Sequence, residues 1–211
     1  MQKLFTHIFL FVLIFFSACS SEEEEKKEAQ VSKDLQYFND VGIQSFNSNY
    51  GTLEILLPQC IKEGYTTQIS ITDINNRVCE SKGIFFSVDA ISTYKVKDNY
   101  TFEYTQKHKR ESDYPKNAAA YIVDYAIEKR IQVVADYMSS EFQTYETIGG
   151  NKLWVKSMYG HKNEFAEEQF YVFGGFVEED VCYILQFICL NRNSKYYYND
   201  FIHFFTSASI F

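Results

Sequence analysis

Five cysteines, four histidines and 28 acidic residues are the groups in this chain that could do chemistry, and their spacing restricts what that chemistry can be. Cys19 stands directly after Ser17 and Ala18, at the end of an unbroken apolar run from Ile8 to Phe16. The two small residues before this thiol fit the narrow cleft of a signal peptidase. Cys60, Cys79, Cys182 and Cys189 contain no C-x-x-C spacing, so neither a zinc knuckle nor a thioredoxin-like pair is indicated. In an exported chain disulfides persist, and four cysteines allow three complete pairings. If Val181 to Leu190 is one strand, Cys182 and Cys189 lie roughly 23 Å apart at about 3.3 Å per residue, far beyond the ~7 Å Cα separation that a disulfide tolerates. Cys60 and Cys79 flank a hairpin or loop and form the favoured bridge, which leaves Cys182 and Cys189 as small buried hydrophobes. The alternative pairs both strand cysteines outward to Cys60 and Cys79.

The other reactive groups are scattered. His108, His161 and His203 share no i, i+4 spacing of the kind a helical metal pair needs. There is no G-x-S-x-G elbow and no glycine-rich phosphate loop. Gly149-Gly150 reads as a turn, and Gly174-Gly175 as a bulge or a close approach of backbone. Glu167-Glu168 and Glu178-Glu179 fall in expected loops, where a solvated face is the ordinary reading and a glycosidase dyad the exceptional one. Tyr196-Tyr197-Tyr198, with Tyr159 and Trp154, is the one aromatic set able to line a sugar or peptide site, since aromatics supply contact area at little entropic cost. No catalytic residue, metal ligand or cofactor is assigned.

The amino-terminal segment is the most specific part of the chain. Lys3 gives it a positive start, and nine apolar residues are too few for a membrane span, which needs about 20, but suit the core of a secretory signal. Phe16-Ser17-Ala18-Cys19 resembles the bacterial lipoprotein lipobox, with Phe16 where that family prefers Leu. The resemblance implies that residues 1–18 are removed, that the Cys19 thiol is diacylated and that the new amino terminus is acylated too. At about 0.8 kcal/mol per buried methylene, one chain anchors marginally and two or three anchor firmly. An ordinary cleaved signal, with Cys19 incidental, is the alternative. The following Ser20-Ser21-Glu22-Glu23-Glu24-Glu25-Lys26-Lys27-Glu28 has nothing apolar to bury, so residues 19–33 read as a solvated acidic tether. Ser21 with Glu22, Glu23, Glu24 and Glu25 also resembles the surface-export signal of Bacteroidetes-type lipoproteins. That likeness, and Ser20 where an Asp would favour inner-membrane retention, imply an outer-membrane, possible cell-surface destination.

Loss of Lys3 with the signal leaves 19 basic against 28 acidic residues, a net charge of −9. Nucleic acid is excluded as a partner on that balance, because phosphate binding relies on clustered Lys and Arg. Residues 34–211 carry only two prolines but 17 Tyr and 20 Phe belong to the whole chain, and neither a repeat nor a second linker is visible. A single domain with a proper core is expected.

The elements that must position these groups follow from periodicity. Residues 31–49 read as an ordered lead-in that packs weakly. Gly51 to Leu57 alternates as a strand stopped by Pro58, Tyr65 to Thr72 is a second strand, Asp73 to Asn76 a turn, and Gly83 to Ile91 a third strand. A short edge piece at Tyr100 to Tyr104 precedes a basic loop, Gln106 to Arg110. A long helix is expected from Asp113 to Ser139. Asp113 caps it, Pro115 sits in its first turn, and Ala120, Val123, Ile127, Ile131, Val134 and Met138 form its apolar stripe. Two hairpins come next: Phe142–Ile148 with Leu153–Tyr159 around Gly149-Gly150-Asn151, and Gln169–Val177 with Val181–Leu190 around Glu178-Glu179-Asp180. The last two strands are apolar on both faces and therefore belong in the middle of a covered sheet. The long helix covers one face, and a helix from Asn193 or Ser194 bearing Tyr197, Phe201, Phe204 and Phe205 covers the other.

The fold class is therefore α+β, an antiparallel sheet flanked by a long central helix and a C-terminal helix. Leu56-Leu57-Pro58 after the first strand, the helix 117–139, the meander 153–190 and the Ser207 to Phe211 close resemble the PsbP-like family, which implies an αβα sandwich used as a scaffold for binding and assembly. The expected function is a lipid-anchored outer-membrane module that binds another protein of the cell envelope, held to the membrane by its covalent lipid. An exported hydrolase or isomerase with a scattered site is one alternative, and an immunity-type inhibitor of a toxin another.

Overall fold

A computed structural model describes residues 35–69, 72–94, 118–131, 134–161 and 166–211. The expected signal, tether, edge piece at Tyr100–Tyr104, basic loop with His108, and Asp113 cap with Pro115 lie outside them. Antiparallel strands dominate: β1 (Val41–Ser48), β2 (Gly51–Pro58), β3 (Lys62–Ile69), β4 (Thr72–Cys79), β5 (Ile84–Ser92), β6 (Ala135–Ser139), β7 (Gln143–Glu146), β8 (Lys152–His161), β9 (Glu168–Glu178), β10 (Val181–Leu190) and β11 (Ser209–Ile210). Among the described residues they are joined by α1 (Ala118–Ile131) and α2 (Ser194–Thr206). The larger sheet has eight strands in the order β3-β4-β5-β10-β9-β8-β6, with β7 also paired to β8, and the smaller has the order β1-β2-β11.

β9 and β10 lie centrally, as their two-sided apolar patterns require. On one face Phe170, Val172 and Phe176 of β9 and Tyr183, Leu185, Phe187 and Cys189 of β10 pack with Phe201, Phe204 and Phe205 of α2 and with Leu53, Ile55 and Leu57 of β2. On the other, Tyr171 and Phe173 meet Val123 and Ile127 of α1, while Cys182 and Ile184 meet Ile122. The centre of the first core is aromatic: the Phe187 ring stacks on Phe201 at 4.2 Å, with Phe205 at 5.3 Å.

Gly174 and Gly175 are where both helices come closest to the sheet. A Cβ on Gly174 would lie 2.7 Å from the Phe205 ring, and one on Gly175 would lie 2.7 Å from Val123 and 2.9 Å from the Ala119 carbonyl. The register of β9 with both neighbours runs through this pair without a shift, so close approach, and no bulge, is its role.

Several expectations need correcting. The long helix is shorter than its stripe suggested: α1 ends at Ile131, and Ala135–Ser139 is strand β6. Ile131, Val133 and Val134 are β-branched and lose side-chain freedom in a helix, Asp136 takes a left-handed φ of 48°, and the outer end of β8 needs a partner, which β6 supplies through Met138 opposite Tyr159. Met138, expected on the buried stripe, is 60% exposed. The expected turn at Asp73 to Asn76 belongs to β4, paired with β5 from Asp73 to Cys79. The lead-in contains a complete strand, β1, and Phe46 within it is buried against Phe86 at 5.6 Å. The small sheet that β1 forms with β2 and the last residues was not foreseen either. It is held to α2 by Ser207, whose hydroxyl accepts a hydrogen bond from Leu56 N (2.9 Å) and donates one to Phe204 O (2.6 Å).

Candidate functional site

The best-defined surface lies at residues 35–38 and the helix they pack on. Leu35 and Phe38 are buried, so their apolar side chains draw this stretch onto α2. The buried carboxylate of Asp200 then fixes it, accepting hydrogen bonds from Gln36 N (3.0 Å) and Tyr37 N (2.8 Å). A buried carboxylate is stabilised only when such donors meet it. With the backbone fixed, Tyr37 packs edge-on against Tyr196, ring centroids 5.3 Å apart, and against Tyr197 at 6.3 Å. Two lysines flank the rings. Lys82 Nζ lies 4.9 Å from the Phe38 centroid and donates to Tyr37 O, while Lys195 Nζ lies 4.8 Å from that of Tyr196. Tyr37 is 42% exposed and Tyr196 40%. This surface can offer aromatic area, phenolic hydroxyls and two ammonium groups; it holds no nucleophile with a base beside it.

The aromatic set singled out in sequence is divided by the fold. Tyr196, Tyr197 and Tyr198 fan around α2: Tyr196 faces Tyr37, Tyr197 packs on Phe38 and Phe201, and Tyr198 reaches Phe170. Tyr198 donates to Gln143 Oε1 at 3.0 Å, and Tyr145 donates to the same oxygen. Burial, reinforced by Tyr145, pushes the Tyr198 hydroxyl pKa up to about 12. Tyr159 stands near the β6 edge, its hydroxyl 2.8 Å from Met138 Sδ. Trp154 is an odd number of residues away on β8 and so points to the α1 face, between Phe142, edge-on at 5.6 Å, and Lys152, whose Nζ lies 4.4 Å from the indole. Lys156 completes that group, paired with Asp124 of α1 at 2.9 Å.

One cluster escaped the sequence reading. Asn76, Ser87 and Gln186 are direct cross-strand neighbours on β4, β5 and β10, on the α1 face, with Asp89 two residues along from Ser87. Ser87 Oγ donates to Gln186 Oε1 at 3.4 Å. An amide cannot act as the base a nucleophilic serine needs, so the row is a hydrogen-bonding one. Its signal was available on β5 and β10, where Ser87, Asp89 and Gln186 interrupt otherwise apolar strands.

The remaining candidates serve the architecture. Cys60 and Cys79 form a disulfide with Cα atoms 5.0 Å apart, closing the ends of the β3–β4 hairpin. Cys182 and Cys189 are buried free thiols, and burial raises both pKa values to about 12. Glu168 accepts a hydrogen bond from Asn191 and Glu178 one from Asn151, while Glu167 pairs with Arg192 at 3.2 Å. Each acid therefore braces a loop. His161 Nδ1 contacts Ala166 O at 2.9 Å. Among the described residues no group of three or more His, Cys, Asp or Glu is arranged to hold a metal, and no helix is long and apolar enough to cross a membrane. Cys19, Ser21 and Glu22 to Glu25 lie outside the described residues.

The class these features define is a mixed α+β domain of mostly antiparallel sheet with two helices. Among solved structures, the chain is similar to cyanobacterial PsbP (CyanoP) from Synechocystis, with 7% identity over 80% of this chain and 92% of that one and a TM-score of 0.45. It is also similar to the protein PA94 of unknown function from Pseudomonas aeruginosa, with 6% identity over 78% of this chain and 94% of that one and a TM-score of 0.39. No protein-family model and no curated protein matches it.

Proposed function

We propose that this chain is a lipid-anchored outer-membrane lipoprotein whose domain, built on the PsbP-like plan, binds a protein partner in the cell envelope. Phe16-Ser17-Ala18-Cys19 behind an apolar run of signal length carries the reading. The PsbP-like assignment is supported by the order of elements, with Leu56-Leu57-Pro58 and Ser207 meeting at one hydrogen bond. The acidic run from Glu22 to Glu25 addresses the protein to the surface, and the domain acts by contact.

Metabolic labelling with a fatty acid tests the anchor: the native chain incorporates label and fractionates with membranes, and Cys19→Ala loses both. A Cys19→Ala chain that stays membrane-bound overturns the reading. Crosslinking in the native membrane, followed by purification of the anchored chain, then identifies the partner.

A further inference from the structure

We infer that the surface formed by Tyr37, Tyr196, Lys82 and Lys195 rests on the lipid headgroups of the membrane that anchors the chain. The inference rests on the lipid-anchored reading and adds to it the orientation of the domain.

Reach is the first support. Leu35, the first described residue and a buried one, is sixteen residues beyond Cys19 in the sequence. Sixteen residues span at most roughly 55 Å. A domain of this size is ~40 Å across, from a radius of gyration near 16 Å. The point of attachment is therefore the part of the domain held nearest the bilayer.

Attachment fixes which side is near. Asp200 grips Gln36 N and Tyr37 N, so the described backbone nearest Cys19 in sequence is fixed beside the aromatic rings. The chemistry of that surface is the third support. Tyrosines sit at membrane–water boundaries, where the ring meets the headgroup region and the hydroxyl stays hydrated. Lysines beside them lay their stems along apolar surface and carry the ammonium to phosphate. The exposed acids Asp40 and Glu80 follow Phe38 and precede Lys82 by two residues each, so charges of both signs face out. That mixture fits zwitterionic phosphatidylethanolamine, which presents phosphate and ammonium together, better than a strongly anionic surface.

Tyrosine nitration of the full lipidated chain, mapped residue by residue by mass spectrometry, tests the orientation. The chain is reconstituted in vesicles of phosphatidylethanolamine with a minor share of phosphatidylglycerol and compared with soluble Cys19→Ala. Nitration of Tyr37 and Tyr196 is expected to fall about fivefold on the vesicles, equivalent to ~1 kcal/mol of interfacial partitioning. Tyr94 and Tyr137, which are 67% and 45% exposed elsewhere, are expected to react as in solution. Floating vesicles with Tyr37 and Tyr196 still fully reactive overturn the orientation and leave the anchor standing. Failure of the native chain to float overturns the anchor and the orientation together. Protection that appears in native membranes but not in lipid-only vesicles assigns the surface to a protein and overturns the lipid contact.

Discussion

Cys182 and Cys189 sit seven residues apart on β10, and an odd spacing on a strand sends them to opposite faces, one to each core. A thiolate in either place would be an unhydrated charge, so burial holds both thiols neutral to a pKa of about 12. The native protein at pH 8 should leave both unmodified by a maleimide, while the same reagent in denaturant labels Cys182 and Cys189. Rapid native labelling would contradict this burial. The sign of the pH effect follows. Each folded pKa lies above the ordinary value of 9.0, so the contribution to stability is complete below pH 9 and is lost as pH rises toward 12. Tyr198, raised from 10.0 to about 12, adds to the loss in the upper part of that window. Residue chemistry of this kind was legible in sequence: a strand's length separates Cys182 from Cys189 whatever surrounds it. Tyr159 and Trp154 were not, because grouping them ignored strand parity.

At the level of elements, Gly174 and Gly175 set how near α2 and α1 can lie. Their substitutions should differ in kind. A methyl at Gly174 meets the edge of the Phe205 ring, a side chain that can tilt. One at Gly175 meets the Ala119 carbonyl as well as Val123, and moving a carbonyl means moving the helix. Gly174→Ala should cost ~1 kcal/mol and Gly175→Ala ~2–3 kcal/mol, within the range for overpacking a close-packed core. Urea unfolding of the two variants measures the order, and equal costs would show that α1 yields as easily as a ring. The pair was visible in sequence as a choice between a bulge and a close approach, and only the helices above and below it decide. The end of α1 was misread for a related reason. Val134 and Met138 continue a helical stripe arithmetically, but the open edge of β8 competes for the same residues, and hydrogen bonds to that edge are invisible to a local period. β1 was missed because Val41, Ile43 and Phe46 do not alternate regularly, and its order comes from pairing with β2 from Val41 to Ser48.

Taken whole, the described residues place apolar clusters on both faces of one sheet, and the question is whether the two sides melt together. The core under α2 is the larger and includes the small sheet. The core under α1 is built from short rows, and a layer with few buried contacts can open locally at lower free energy than the rest. Against that, the α1 layer cannot leave without exposing Tyr171 and Phe173, each almost fully buried, and burial of such a side chain contributes about 1.5–3 kcal/mol. These two residues alternate along β9 with Phe170, Val172 and Phe176 of the other core, so loss of order in the strand disturbs both faces. The second effect should prevail, giving one cooperative transition. The chain supplies its own reporter, since Trp154 is the single tryptophan and lies on the α1 side against Phe142. Far-ultraviolet dichroism reports instead on the backbone of the strands and helices on both sides of the sheet. Urea midpoints from Trp154 fluorescence and from that dichroism should coincide. A fluorescence transition clearly at lower urea would mean that α1 and its rows unfold as a separate unit, and that residues 34–211 are not one cooperative domain.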